Sequence, residues 1–337
     1  MSISRWISRR SRGDGATVPA TKRLTEVSRA NQKVSGDGAG LLPYLLLCLA
    51  PFIWGWSGVL VRWAALPGEE YVLIFWRSAF AFAFFALAII VARNAGLARP
   101  GSKPLLLIAS GLTTAAYAVC AFKAYYLLDI GAATFIIYLA PVFVALLAPF
   151  ALKEKLERST LVCLTIALLG TALLSFDRAG EAVGTRVSGA LLALGAAVCW
   201  ALLMIIWKKL RETHSTFTIG LWTNGVCAVV YVPFAVIGSD SLSAKGWLSI
   251  AVLGFIVIGC ASVTFLYAVK RVKAQDAGLL SYIEPVSAMV LGIALLGETP
   301  HWQEFVGAAL IIAAGVLLLR FRLGAGKVAE VFDAAER

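Results

Sequence analysis

Charge is scarce in this sequence. Asp, Glu, Lys and Arg make up 15% of its 337 residues, while 60% are hydrophobic and the mean hydropathy is +0.84. Soluble domains carry about a quarter charged residues, so this composition excludes an ordinary soluble fold and points to the membrane. Histidine is scarcer still. Only His214 and His301 occur, with no H-E-x-x-H, so neither a metal site nor a cofactor is expected. All six cysteines lie inside apolar runs and none forms C-x-x-C, which reads as small hydrophobic side chains. No G-x-x-x-x-G-K-[ST] is present, so ATP does not drive any activity directly. Loop cysteines and convergent acid, base or nucleophile clusters are also lacking, which disfavours an enzyme.

Apolar runs of spanning length dominate what is there. Ten can be read, over 42–63, 72–92, 104–126, 131–152, 159–176, 188–207, 217–237, 247–269, 276–296 and 303–320. Each is near the roughly 20 residues that cross a hydrocarbon core. Residues 1–40 are polar and basic, lack a secretory apolar core, and are expected to be a disordered cytoplasmic tail. Residues 322–337 are expected to be a second cytoplasmic tail.

The net charge of +11 suggests nucleic acid only until its placement is seen. With the N-terminus inside, 24 basic residues fall in the tails and loops of one face and three (Arg178, Arg186, Lys245) on the other. Positive-inside topology explains this, with both termini cytoplasmic and no nucleic-acid partner. A bacterial inner membrane suits the chain best.

The chain repeats itself. The stretch 138-YLAPV-142 returns as 282-YIEPV-286 at an offset of 144, and Leu152 and Glu154 return as Leu296 and Glu298. Trp54 and Trp76 return as Trp200 and Trp222 at an offset of 146. Two homologous halves follow, about 41–177 and 188–321, each with five helices. Five is odd, so the second half enters the membrane from the opposite side, a pattern typical of transporters. The expected class is an all-α integral membrane protein, ten transmembrane helices as two inverted five-helix repeats.

The proline-centred fourth helix of each half, YLAPVFVALLAPFALKE and YIEPVSAMVLGIALLGE, resembles the EamA-type families of the drug/metabolite transporter superfamily. The resemblance covers nearly the whole chain beyond the tail. It implies a secondary transporter with a central cavity from helices 1, 3, 4, 6, 8 and 9, with helices 5 and 10 peripheral. It says little about substrate.

Pro141 and Pro285 lie about 10 residues into their helices, near the midplane at 1.5 Å per residue. Each frees a carbonyl four residues back, at Ile137 and Ser281, which is tolerated where it lines a cavity or is buried in protein. They are candidate hinges, with a static kink as the alternative. An ionised Glu284 at that depth costs about 3 kcal/mol unless paired or hydrated. It either meets a substrate amine or a proton, or holds helices together in an ion pair. Its counterpart is Ala140, so the charge belongs to one half. Arg77 and Lys123, within helices 2 and 3, are candidate substrate contacts or interfacial anchors. Trp54, Tyr138, Trp200, Tyr267 and Tyr282 complete the candidate set, as rings suited to an amphipathic organic molecule.

The function expected from these residues is secondary transport, by alternating access, of an amino acid or related amphipathic metabolite, with efflux as the direction. Its partners are the small-molecule substrate, the lipid bilayer and protons, a proton gradient being one energy source and passive uniport the other. The competing reading is an anionic metabolite clamped by Arg77, Lys123 and Lys270, which Glu284 would oppose.

Overall fold

The computed structural model describes residues 41–64, 69–128, 130–174, 183–235, 242–299 and 301–335. The basic tail 1–40 and Arg178 lie outside the described residues. Within them the regular structure is entirely helical. In chain order the helices are α1 (Leu41–Ala64), α2 (Glu70–Val91), α3 (Pro104–Leu127), α4 (Ile130–Ile137, then Ala140–Leu152), α5 (Arg158–Leu174), α6 (Val183–Leu210), α7 (Thr216–Ala235), α8 (Ala244–Val269), α9 (Ala274–Leu296) and α10 (Trp302–Ala335). Nine are long and apolar enough to cross a membrane, and α5 is a shorter apolar helix of the same kind. The protein is a multi-pass integral membrane protein. Its outer surface fits that solvent: Phe150, Leu105 and Val91 are 88%, 81% and 73% exposed, which lipid tolerates and water does not. The helix of α10 runs to Ala335, past the end expected near residue 320.

Helix ends follow local chemistry. Pro104 opens α3 where its missing N–H would be unpaired anyway. Ser243 caps α8 by accepting from the Gly246 amide at 3.1 Å. The repeated LKE and LGE endings have a shared cause. Lys153 and Gly297 both take the left-handed conformation, at φ +58° and +68°. The amides of Glu154 and Glu298 then turn back to Ala148 and Gly292, at 3.4 and 3.2 Å. This left-handed closure of a helix is built twice at equivalent positions, and it aims both glutamates across the bundle.

Both proline-centred helices break one turn before their proline. In α4 the break is at Tyr138–Leu139 and in α9 at Ser281–Tyr282. Proline withholds a donor, and the Ser281 carbonyl is taken instead by the Glu284 amide at 3.1 Å. The breaks meet at the centre. The Tyr282 hydroxyl donates to the Tyr138 carbonyl at 2.8 Å, with the two rings 5.9 Å apart. In α1, Gly55 interrupts the helix beside α9. A Cβ there would stand 2.5 Å from Ser287 Oγ and 2.9 Å from the Ala288 amide nitrogen, so only glycine allows this approach.

The main packing pairs match when the halves are exchanged. Helix α2 packs on α7, α4 on α9 and α5 on α10, each with its counterpart. The pairs α1–α8 and α3–α6 interchange, as do α1–α9 and α4–α6.

Candidate substrate site

Eight of the helices enclose a central cavity of about 500 Å³. It receives Trp54 and Arg62 from α1, Arg77 and Ser78 from α2, Thr114, Tyr117 and Tyr125 from α3, and Tyr138 from α4. It also receives Trp200 and Trp207 from α6, Thr223 and Asn224 from α7, Ser262 from α8, and Glu284 and Pro285 from α9. Among the described residues, helices α5 and α10 contribute nothing to it, whereas α2 and α7 join the six helices that the family resemblance implies. The added pair is itself repeat-related, since Arg77–Ser78 and Thr223–Asn224 stand at the offset of 146.

One wall is aromatic. Trp200 lies 5.5 Å from Trp54, 5.3 Å from Tyr117 and 5.9 Å from Trp207, and Phe265 backs Trp54 at 5.1 Å. Such a wall gives an organic molecule a broad apolar face in fixed geometry. Part of α8 is π-helical, over Leu253–Cys260, and supplies Ile258 to the lining. Glu284 is half-buried, with the Tyr138 hydroxyl as its hydrogen-bonding neighbour. Among the described residues it forms no ion pair. Arg77 also forms none there and lies 5.8 Å from the centre of the Phe122 ring. The cavity therefore holds a carboxylate and a guanidinium that do not neutralise one another.

Of the candidates named from sequence, Trp54, Arg77, Tyr138, Trp200, Glu284 and Pro285 meet at this cavity. The structure does not bring the others to it. Tyr282 is fully buried behind the wall, held by Tyr138. Pro141 is buried too, near Gly278. Tyr267 is 40% exposed, with the Arg271 guanidinium 3.8 Å over its ring. Lys123 is exposed and 5.9 Å from the Tyr71 ring. Helical period gives the reason. Ile258 and Ser262 face the cavity from α8, and Tyr267 is five positions on, about 140° round the helix. Lys123 stands between Ala121 and Tyr125, which both face inward, so it points outward. Trp207 and Asn224 were missed. An amide within an apolar run was the available signal for Asn224; nothing distinguished Trp207 from an interfacial tryptophan.

Ion pairs cluster at the face where α1 begins. Lys208 of α6 pairs with Glu154 beyond α4 and donates to the Val272 carbonyl. Glu154 also accepts from the Ala274 amide, at 2.8 Å, at the start of α9. Arg322 grips Asp276 with two bonds, at 2.7 and 2.8 Å, and reaches Thr160 at 3.0 Å and Glu157. Lys273 pairs with Glu157 as well. Burial works to raise the pKa of Glu157, but the hydrogen bonds from Lys273 and Arg322 outweigh it and hold the carboxyl below its ordinary range. At the opposite face Arg62 and Glu298 pair with 53% and 41% of their side-chain surfaces exposed.

The sequence model of the EamA-like transporter family matches residues 41–176 and again 187–320. Among curated proteins the chain is 28% identical to a probable terminal-alkyne amino-acid exporter of Streptantibioticus cattleyicolor, over 71% of this chain and 81% of that protein. It is 26% identical to the pseudopaline exporter CntI of Pseudomonas aeruginosa, over 83% of this chain and 96% of that protein. It is 22% identical to a biotin transporter of Escherichia coli, over 59% and 68%. A solved crystal structure, 22% identical, superposes with a TM-score of 0.70 over 83% of this chain and 98% of that one, a likeness of fold.

Proposed function

This chain belongs to the EamA-like transporter family, and on that premise we propose that it is a secondary transporter exporting an amino-acid-like amphipathic metabolite. The observation that carries the reading is the central cavity, aromatic on one wall and bearing Glu284 without an ion-pair partner among the described residues. A carboxylate at that depth needs a cation or water, and a substrate ammonium group supplies the first. Arg77 gives the same molecule a place for its carboxylate. The wall takes its apolar body. The volume, about 500 Å³, is in the range of small-molecule sites. The names of two relatives, an amino-acid exporter and the pseudopaline exporter, agree with this class and direction.

In this proposal the two halves are inverted repeats, and the state described here opens away from the cytoplasm. The symmetric packing and the basic residues on the face where α1 begins support that orientation. The anionic-metabolite reading ranks lower. Glu284 opposes it, and of its three cations only Arg77 reaches the cavity. An untargeted metabolite screen in vesicles containing the purified protein, with and without an imposed pH gradient, tests the proposal. Accumulation or release of amine-bearing carboxylates supports it, and transport confined to phosphorylated compounds defeats it.

Pro285 is the hinge in this scheme. Its ring keeps the α9 break in place beside Glu284. Pro285→Ala restores a donor for a continuous helix, so turnover is expected to fall about tenfold with binding little changed. Substrate affinity measured alongside exchange rate checks this, and unchanged turnover would remove the hinge role.

A further inference from the structure

A second concavity lies away from the centre of the bundle. It is a groove of about 550 Å³ along α2 and α7, and no residue lines both it and the central cavity. Phe82, Ala86 and Ile90 of α2 stand four residues apart, on one face of the helix. Ala86 is the small residue between two large ones, and Leu221 of α7 forms the opposite side. Phe82 and Ile90 are both exposed, so the groove opens toward lipid.

One end of the groove is charged. Helix α2 stops where Arg93 takes the left-handed conformation, at φ +49°. The Arg93 amide bonds back to the Ile90 carbonyl at 2.9 Å, and the Asn94 amide to the Ile89 carbonyl at 3.4 Å. This turn sets both residues at the end of the groove, on the face where α1 begins. The Arg93 side chain is exposed and forms no ion pair or hydrogen bond among the described residues. No Asp or Glu lines the groove. None occurs in residues 92–103 either, where Arg93, Arg99 and Lys103 are all basic.

Length and charge select the occupant. From Arg93 back to Phe82 is about 16 Å of helix at 1.5 Å per residue, close to half of a hydrocarbon core about 30 Å thick. The groove therefore runs the depth of one leaflet, with its cation at headgroup level. A second copy of the chain, docked about a two-fold axis, would bring this basic rim against its own likeness. Residues 1–40 carry eight basic residues against three acidic ones and do not complement Arg93. We propose that the groove binds an anionic phospholipid, with one acyl chain along Phe82, Ala86 and Ile90 and the phosphate on Arg93. The Asn94 amide is placed to donate to the same headgroup.

This inference does not depend on the transport reading. Native mass spectrometry of the purified full-length protein tests it, with dioleoylphosphatidylglycerol and dioleoylphosphatidylethanolamine as probes, which share their chains and differ in net charge. The parent protein is expected to retain the phosphatidylglycerol in preference. Arg93→Gln should lower that retention about fivefold, the worth of one basic residue at an anionic membrane surface, and leave the phosphatidylethanolamine unchanged. Ala86→Phe fills the groove and should lower retention of both lipids. Arg93 is exposed and unpaired, so its variant should melt as the parent does in lipid-free detergent, which separates a lost site from a lost fold. Equal retention of the two lipids by the parent, or an unaltered preference in Arg93→Gln, overturns the proposal. A dimer whose abundance falls in Ala86→Phe assigns the groove to a second copy and overturns it as well.

Discussion

Replacing Glu284 by glutamine is expected to cut transport of an amine-bearing substrate by roughly ten- to a hundredfold, the worth of a charge-assisted hydrogen bond in a partly desolvated site. Glutamine keeps the shape of the side chain and can still meet the Tyr138 hydroxyl. It cannot offer a negative charge. The loss should therefore fall on substrates with an ammonium group and spare neutral analogues of the same size. Initial rates in proteoliposomes for an amine and its neutral isostere check this. An equal loss for both would make Glu284 a structural residue. A third result is informative in another way. If concentrative transport driven by a pH gradient disappears while counterflow continues, Glu284 carries the proton and the substrate amine is held elsewhere.

Asp276→Ala is expected to be the most damaging single change to the fold. Asp276 is fully buried and receives two bonds from Arg322, with the Tyr44 hydroxyl at 3.5 Å. Removing one partner of a buried pair typically costs about 3–5 kcal/mol, because the other charge is left without compensation. Arg322 keeps Glu157 and Thr160, so the lower end of that range applies. Glu298→Gln breaks an exposed pair and should cost no more than about 1 kcal/mol. Thermal unfolding of the two variants in the same detergent gives the comparison, and equal melting temperatures would remove Asp276 from its place as the anchor of that ion-pair cluster. The same face carries a pH signature. A carboxyl held below its ordinary range, as at Glu157, contributes stability that is present above its unfolded pKa. That contribution is lost progressively as pH falls from the ordinary carboxylate range through the lowered value, so melting should be level above the ordinary range, decline through it and level off on the acid side of the lowered value.

Much of the architecture was legible because lipid imposes a length and a polarity on every spanning element. The runs read from sequence begin and end within a few residues of the helices, except at α6 and α10, which extend further. The prolines were legible as breaks for a covalent reason, the missing N–H. The LKE and LGE endings were legible only as a repeat. That they are left-handed closures aiming two glutamates at basic residues required the fold, since Lys153 gives no glycine signal. Among the candidate residues, depth along a helix was readable and direction around it was not. Tyr267 and Lys123 had suitable types and face outward, whereas Thr223 and Asn224 had no charge to mark them and face the cavity. In a helix that is apolar on all sides, periodicity does not mark an inner face.

The sequence alone thus determined the membrane, the helical class and the oddity of Glu284 beside Pro285, because each follows from composition, chain length or a covalent constraint. Only the tertiary structure decided which residues share the cavity, that Glu284 and Arg77 stand in it without pairing, and that an ion pair recurs at both faces. Those facts depend on the rotation and register of helices against one another. Packing sets these through contacts such as Gly55 on Ser287 and Tyr282 on Tyr138, between residues far apart in the chain.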